Sequence, residues 1–187
     1  MLERWRLQRE LRRVPELSPA TPEGSIARVT GMVRVLRESL IAPRSGRACV
    51  GYRIRLRFAG SETVGGRFES SELRAFAIER AGDLVTVESL EARFALRTVP
   101  PTPPLDREEW QQFRQDRGLY QRTIVLSGIE EVVIEVGTLI SVAGLVVIEA
   151  ASEPPTQELG FRDAAPRAFK LSGDLDHPLL IGPAERD

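Results

Sequence analysis

Two side chains in this sequence, His177 and Cys49, have the most obvious capacity for acid–base or nucleophilic chemistry. His177 is the only histidine, and an imidazole can act as a general base near neutral pH. It lies in a short polar segment, 174–178, in which an adjacent aspartate imposes no catalytic geometry. No serine lies in the strand–turn–helix elbow of the G-x-S-x-G type that a catalytic triad uses. The pattern therefore predicts that His177 is an exposed turn residue.

Cys49 is the only cysteine, so an intrachain disulfide is excluded. It stands at the start of the arginine-bearing face of its strand, and a neighbouring cation could lower its pKa and make the thiol reactive. A single cysteine within a strand more often packs as a small apolar residue. We favour the packed interpretation and keep the reactive thiol as the alternative.

Metal and cofactor sites have little support in the sequence. A structural zinc site needs about four Cys or His ligands, whereas Cys49 and His177 are the only two residues of these types. Glycines never form a phosphate-binding loop between a strand and a helix. Glu130 and Glu131 are adjacent carboxylates that would lie on opposite sides of a strand. We therefore expect no metal, no cofactor and no enzymatic activity.

The clearest pattern is the arginine row, which we define as Arg53, Arg55 and Arg57. These residues alternate with apolar ones, and period-two alternation predicts a half-buried antiparallel strand over 48–58. The apolar residues expected to share the core-facing side are Val50, Tyr52, Ile54, Leu56 and Phe58. Side chains on one face of a strand stand about 6.5–7 Å apart. A basic stripe of this kind on a small barrel is typical of proteins that bind single-stranded nucleic acid.

Such nucleic-acid sites also interleave aromatic side chains with the charges, and here Tyr52 and Phe58 are expected on the opposite, core-facing side. We favour a solvated face whose arginines pair with the nearby glutamates Glu62, Glu69 and Glu72. The net charge of −1 gives no general attraction to nucleic acid. An OB-like nucleic-acid-binding domain that uses the arginine row remains the alternative function.

The remaining pattern predicts a mainly β fold, namely a small antiparallel β-barrel, OB-like or related, with one or two short helices. Gly31 is expected where two backbones approach closely, and Gly82 in a hairpin turn. A capped helix is expected from Asp106 to Gly118, with Trp110 and Phe113 sealing the core. The expected strands cover 25–36, 48–58, 73–78, 84–87, 92–96, 120–127, 132–136 and 138–148, with edge strands at 168–171 and 179–181.

The N-terminal segment predicts a short amphipathic helix over 2–17, followed by a proline-rich linker. We expect Trp5 and Leu7 on one side of it. Residues 1–24 would form this arm and linker, and residues 25–187 the barrel domain. Either the arm packs on the barrel and buries Trp5, or it lies on a membrane surface. The candidate membrane-surface residues are Trp5, Leu7, Arg9, Arg12 and Arg13.

The start of the chain carries no secretory signal pattern. The most apolar stretch, 136–148, is shorter than the roughly 20 residues of a spanning helix. We therefore expect a cytoplasmic protein. Peripheral attachment to a membrane is a further expectation. Lys170 is the only lysine among the 26 Lys and Arg residues, a bias typical of a GC-rich, bacterial genome.

The segment that begins at Pro43, with Gly46, Cys49 and Tyr52-Arg53 at fixed spacing, resembles the GIDE family, whose domain is best known from mitochondrial ubiquitin ligases of the MULAN type. The resemblance extends over about 26–181. Further matching positions are Gly31-Met32-Val33, Leu40 to Pro43, Phe76 to Glu79, Gly82, Leu84 to Val87, Glu131, Ile134, Gly137, Ile140, Val142 and Gly144. Glu79 and Thr138 stand where the family has aspartate.

This resemblance implies an antiparallel β-barrel that lies beside a membrane. In the eukaryotic ligases a RING follows, and a RING needs eight Cys or His ligands that this chain lacks. Ubiquitin-ligase activity is therefore not implied. We expect a non-catalytic interaction or scaffold module with a protein partner, which also meets a membrane surface through its arm. Nucleic acid is the less favoured partner.

Overall fold

A computed structural model describes residues 2–59, 67–89, 91–99, 107–116, 125–150 and 167–184. Its helices are α1 (Leu2–Arg13) and α2 (Arg107–Asp116). Its strands are β1 (Ile26–Val35), β2 (Leu40–Ile41), β3 (Ala48–Ala59), β4 (Arg67–Leu73), β5 (Phe76–Arg80), β6 (Asp83–Ser89), β7 (Ala92–Phe94), β8 (Val125–Glu135), β9 (Leu139–Ala150), β10 (Arg167–Gly173) and β11 (Leu179–Pro183).

Five strands close into a barrel in the order β1-β5-β6-β10-β9, and the β1–β9 pair completes the circle. All neighbours are antiparallel except β6 and β10, which are parallel. The fourth barrel strand, β9, returns to lie beside β1, which is the strand order of a Greek key. A five-stranded Greek-key barrel is the arrangement of an OB fold. The predicted small β-barrel is confirmed.

Alternation of side chains explains the barrel wall. Along β1, Ala27, Val29 and Val33 are buried in the barrel core, whereas Arg34 on the other face is exposed. Gly31 is a point of close approach, as predicted, because a Cβ there would lie 2.2 Å from the carbonyl oxygen of Glu79. The β5–β6 hairpin turns through Ala81 and Gly82, both with positive φ, which is the geometry of a two-residue hairpin loop.

Strand β9, which is apolar on both faces as a central or covered strand is, is central. It pairs with β1, β10 and β11. The prediction that the last two strands lie at sheet edges is wrong. Strand β10 closes the barrel between β6 and β9, and β11 lies between β9 and β7. Their short apolar sequences gave no sign of this, because a strand this short has the same pattern at an edge and inside a sheet.

A second sheet is built on β3, with β4 along one edge and β8 along the other. The short strand β2 pairs with the first residues of β3. Strand β4 includes residues 67–71, which the sequence predicts as loop because Ser and Glu are weak strand formers. Strand β8 is one element from residue 125, and the expected strand residues 120–124 lie outside the described ranges.

A β-bulge near the start of β3 rearranges its faces. The register with β8 shifts between Cys49 and Gly51. In consequence Val50 joins the barrel core, whereas Cys49 and Tyr52 share a separate apolar cluster with Leu40. Two sequence expectations are therefore wrong: Cys49 is not on the arginine-bearing face, and Val50 and Tyr52 do not share a core. An extra residue in a bulge reverses the alternation that the pattern assumed.

Helix α1 ends at Arg13, four residues before the predicted end, because the chain then turns to run beside β1. Backbone hydrogen bonds join Leu17 N–H to Arg28 O at 2.7 Å and Arg28 N–H to Pro15 O at 2.8 Å. Leu17 is buried in the barrel core. Gly24 N–H donates to Val146 O at 2.8 Å. The proline-rich segment after α1 is thus hydrogen-bonded to the barrel at both of its ends.

The second predicted helix is present as α2. Its proposed cap Asp106 and its proposed end Gly118 lie outside the described residues. The side chains of Trp110 and Phe113 also lie outside the description, so their expected role in sealing the core remains a prediction.

Candidate functional site: the arginine row and helix α1

The arginine row is mostly covered. The Arg53 side chain is 12% exposed, and its Nε lies 3.7 Å from Glu69 Oε1. Its guanidinium carbon lies 5.4 Å from the centre of the Phe94 ring, within the range of a cation–π contact. Phe94 belongs to the barrel core. Arg53 therefore points toward the barrel, and the expected solvated face is wrong at this position.

Arg55 is enclosed by two carboxylates from different elements. Its side chain is 16% exposed. Nε donates to Glu69 Oε2 at 2.8 Å, and Nη1 donates to Glu3 Oε2, on helix α1, at 3.4 Å. Burial lowers the pKa of Arg55, but the hydrogen bond and charge of Glu69 outweigh it and raise the pKa overall. Helix α1 therefore reaches the middle of the arginine row through Glu3.

Arg57 is the exposed end of the row, with 66% of its side chain accessible, and it pairs with Glu130. The predicted pairing of the row with Glu69 is confirmed. Glu72 instead accepts a hydrogen bond from the Tyr52 hydroxyl at 3.1 Å. Glu62 lies outside the described residues. One arginine of the three is thus open to a ligand, whereas the period-two pattern predicted three.

One face of α1 anchors the helix to the barrel. Leu7 is 2% exposed and Leu11 is 3% exposed, and both pack in a cluster with Ala95, Ala143 and Leu180. The absence of a side chain at Gly182 permits this docking, because a Cβ there would lie 2.7 Å from Leu11 Cδ2. Leu7 was a candidate membrane-surface residue. It is instead buried against the barrel.

The opposite side of α1 is what we call the outer face of α1: Trp5, Arg6, Arg9, Arg12 and Arg13, all of them exposed. Trp5 is 62% exposed, and the Arg9 guanidinium lies 5.8 Å from its ring centre. The expectation that Trp5 shares a side with Leu7 is wrong, because residues two apart on a helix point about 200° apart. Trp5 lies among the arginines. Of the other four candidate membrane-surface residues, Leu7 is buried, whereas Arg9, Arg12 and Arg13 are exposed.

A shallow groove of about 620 Å³ runs along the outer face of α1. Arginines Arg6, Arg9 and Arg13 line it, together with Ile26, which is 45% exposed. Within the described part of the chain, the one carboxylate in its lining is Glu10, which lies 4.0 Å from the Arg93 guanidinium. Among the described residues, no carboxylate forms an ion pair with these three arginines. The groove is therefore basic, with apolar surface beside it.

The two nucleophile or base candidates, Cys49 and His177, lie in different surroundings. Cys49 is fully buried, and burial raises the pKa of its thiol to about 11, which outweighs a hydrogen bond with the Gly51 backbone. The packed interpretation of Cys49 is thus the one that the structure supports. His177 is exposed in a turn, where its backbone N–H donates to the carboxylate of Asp174 at 2.6 Å.

Glu131 is a buried carboxylate whose role the sequence did not reveal. It is 2% exposed, and its two oxygens accept the backbone N–H groups of Arg44 and Ser45 at 2.9 Å and 3.0 Å. It fixes the turn at 43–46 against β8. Glu130 points to the other side of β8 and pairs with Arg57, as predicted for adjacent strand residues. The sequence contains two signals of this contact, namely a glutamate within an apolar strand and a turn with proline and glycine at 43–46. Nothing in the sequence indicates that these two features lie next to each other.

Comparison of this chain with known proteins identifies no relative. No protein-family model, no curated protein and no solved structure matches this chain. The resemblance to GIDE domains therefore stands on the sequence pattern alone. In the described part of the chain, neither helix has the length and apolar character needed to cross a bilayer.

Proposed function

We propose that the protein is a non-catalytic interaction module that docks on an anionic membrane surface through the outer face of α1. The observation that carries this proposal is the exposed Trp5 set among arginines on a helix whose opposite face is anchored by Leu7 and Leu11. A tryptophan has an apolar body and a polar N–H, and it is favoured at membrane–water interfaces. The docking element is presented rigidly rather than as a loose arm.

Electrostatic attraction also favours an anionic membrane surface as the partner. Each arginine near an anionic bilayer contributes about 1 kcal/mol of attraction. Arg6, Arg9 and Arg13 have no carboxylate partner among the described residues, so their charge is not neutralised locally. Ile26 and Trp5 add exposed apolar surface beside them. The resemblance to GIDE domains, which lie beside membranes, is consistent with this proposal.

Vesicle co-sedimentation tests the proposal. We expect binding to phosphatidylglycerol vesicles and little binding to phosphatidylcholine vesicles. Arg9→Gln with Arg13→Gln should weaken binding about thirtyfold, from about 1 kcal/mol per arginine, and Trp5→Ala should weaken it further. A matched control is Arg37→Gln with Arg74→Gln, which removes the same charge from exposed sites beyond the other end of β1.

An equal loss in both double variants would contradict docking through α1, because it would reflect net charge alone. Equal and negligible sedimentation of the wild-type protein with both kinds of vesicle would exclude the bilayer. A protein would then remain as the expected partner of the interaction module.

The second candidate is an OB-like domain that binds single-stranded nucleic acid, and the Greek-key barrel is the observation in its favour. OB folds bind across their second and third strands, here β5 and β6. Those strands carry Glu79 and Glu88, each paired with a cation. Arg53 and Arg55 are covered, so we place this function second.

Fluorescence anisotropy with a labelled single strand decides between the two candidates. We expect no complex tighter than the non-specific range of roughly 10⁻⁴–10⁻⁶ M. A tighter, salt-sensitive complex that is lost on Arg57→Gln, the exposed end of the row, would reverse the order of the two proposals.

A further inference from the structure

A pocket of about 280 Å³ lies between α1 and the outer side of the β1–β9 pair. It shares no described lining residue with the groove along the outer face of α1, although Arg12 of that face lines it. Among the residues that the structure describes, its lining includes two arginines and no carboxylate. The lining residues that matter are Gln8, Leu11 and Arg12 from α1, Arg28 from β1, Ser141 from β9 and Pro183 from β11.

Arg28 is the central group of this pocket. Its side chain is 14% exposed. Its Nε is buried and, within the described residues, has no hydrogen-bond partner. Buried guanidinium N–H groups are nearly always paired, so an unpaired one calls for an explanation such as a missing ligand. The pocket that Arg28 lines is the space in which an acceptor would fit.

The charge of Arg28 is incompletely balanced. Its Nη2 lies 3.5 Å from Glu16 Oε1, at the outer limit of a hydrogen bond. The other oxygen of Glu16 accepts from Arg80 Nη2 at 3.1 Å, so one carboxylate serves two guanidinium groups. Glu16 is itself 51% exposed, where solvent screens its charge. An anion beside Arg28 would therefore meet a guanidinium whose charge Glu16 balances only in part.

The polar groups around Arg28 include a donor that suits an oxyanion and a hydroxyl. Gln8 donates through Nε2 to Ala95 O at 3.3 Å, which leaves the second hydrogen of that amide for a ligand. Ser141 is 2% exposed, and its hydroxyl shares a hydrogen bond of 2.7 Å with Thr30. Guanidinium groups bind phosphate oxygens through two parallel hydrogen bonds. Leu11 and Pro183 add apolar surface next to these donors.

We propose that this pocket binds a phosphate monoester. Its volume is just below the range of about 300–1,000 Å³ that is usual for drug-sized ligands, so a phosphate on a small organic body fits. The same chemistry occurs in a soluble metabolite and in the headgroup of a lipid such as phosphatidic acid. The proposal does not depend on docking through the outer face of α1.

Calorimetric titration with glycerol 3-phosphate and with inorganic phosphate tests the soluble source. We expect glycerol 3-phosphate to bind with a Kd below about 1 mM. Arg12→Gln and Arg28→Gln should each weaken binding by about tenfold or more, as expected for loss of a charge-assisted hydrogen bond. The control is Arg13→Gln, the next residue of α1 with the same loss of charge, which lies outside the pocket and should change the Kd less than about twofold.

The lipid source is tested with vesicles of phosphatidic acid and of phosphatidylglycerol at matched surface charge. A preference for phosphatidic acid that disappears on Arg12→Gln and persists on Arg13→Gln would assign the pocket to the lipid headgroup. The measured quantity is the ratio of the two affinities, which the general attraction of α1 to anionic surfaces does not change.

Circular dichroism of each variant shows whether it folds. Arg12 is exposed, so its substitution keeps the test valid even if Arg28→Gln does not fold. The proposal is overturned if glycerol 3-phosphate does not bind and the two vesicle types bind equally. It is also overturned if Arg13→Gln weakens the binding of glycerol 3-phosphate as much as Arg12→Gln does.

Discussion

The arginine row on β3 and the outer face of α1 carry the same kind of charge in very different surroundings. Arg53 and Arg55 are enclosed by Glu69, by Phe94 and by Glu3 of helix α1 itself. The arginines on the outer face of α1 are exposed, and three of them line an open groove. The helix that presents one set of arginines therefore also supplies a carboxylate to the other.

This contrast shows that the number and spacing of arginines do not identify a binding surface. What matters is whether carboxylates and neighbouring elements already satisfy the guanidinium groups. In the row, those groups are part of the contact between β3, α1 and β7. On the outer face of α1, the burial that holds the helix in place is on the opposite side, at Leu7 and Leu11.

Removing the anchor of α1 should have the largest effect on stability. Leu11→Ala deletes a side chain that is 3% exposed, and such changes lower the free energy of unfolding by about 2–5 kcal/mol. Trp5→Ala, on the outer face, should change it by about 0.5 kcal/mol or less. Urea unfolding measures both. Similar losses in the two variants would show that the outer face is also packed, contrary to the contrast drawn above.

The bulge that separates Cys49 from the arginine row predicts an unreactive thiol. With its pKa raised to about 11, the folded thiol is ionised about a hundredfold less at pH 8 than a thiol near pKa 9. A thiol reagent should therefore react at least about a hundredfold more slowly with the folded protein than with the protein in denaturant. The raised pKa contributes stability below the pKa of the unfolded thiol, and this contribution is lost as the pH rises toward the folded value. Rapid labelling of the folded protein at pH 8 would place Cys49 next to a cation after all.

Within the arginine row, the covered and exposed members should differ. Arg53→Ala removes the contact with Phe94 and buried side-chain methylenes, and it should cost about 1–3 kcal/mol. Arg57→Ala removes an exposed ion pair, which is worth about 0–1 kcal/mol. The two free energies of unfolding, measured side by side, give the comparison. Equal costs would mean that the row is uniformly solvated, as the sequence alone suggested.

The smallest stability effect is expected on the outer face of α1. Arg9→Gln with Arg13→Gln should change the free energy of unfolding by no more than about 0.5 kcal/mol, because neither side chain is buried. Thermal unfolding at low and high salt checks this. A large loss of stability would assign these arginines a structural role. Weaker vesicle binding by this variant would then no longer show that the outer face of α1 contacts the membrane.

The β-barrel could be predicted from the sequence because its evidence is local. Alternation in β1, the close approach at Gly31 and the turn at Gly82 each follow from neighbouring residues. The position of β10 inside the barrel depends on pairing with strands far away in sequence. The same is true of the bulge near Cys49, which exists only in relation to β8.

The candidate site was harder to predict for a related reason. The sequence identified Trp5, Arg9, Arg12 and Arg13, since a helix with these residues is recognisable without tertiary contacts. It could not reveal that Leu7 is buried in the barrel contact, nor that Glu3 reaches Arg55. The Arg28 pocket gave no sequence signal at all, because its walls come from α1, β1, β9 and β11.

The most direct test of docking through α1 is the fluorescence of Trp5 itself. The chain has two tryptophans, so Trp110→Phe leaves Trp5 as the single reporter. With phosphatidylglycerol vesicles we expect a blue shift of its emission and quenching by brominated lipid, and with phosphatidylcholine vesicles we expect neither, because binding needs the anionic surface. An unchanged Trp5 spectrum in the presence of anionic vesicles, with the ring still accessible to a soluble quencher, would contradict the proposal that this face meets the membrane.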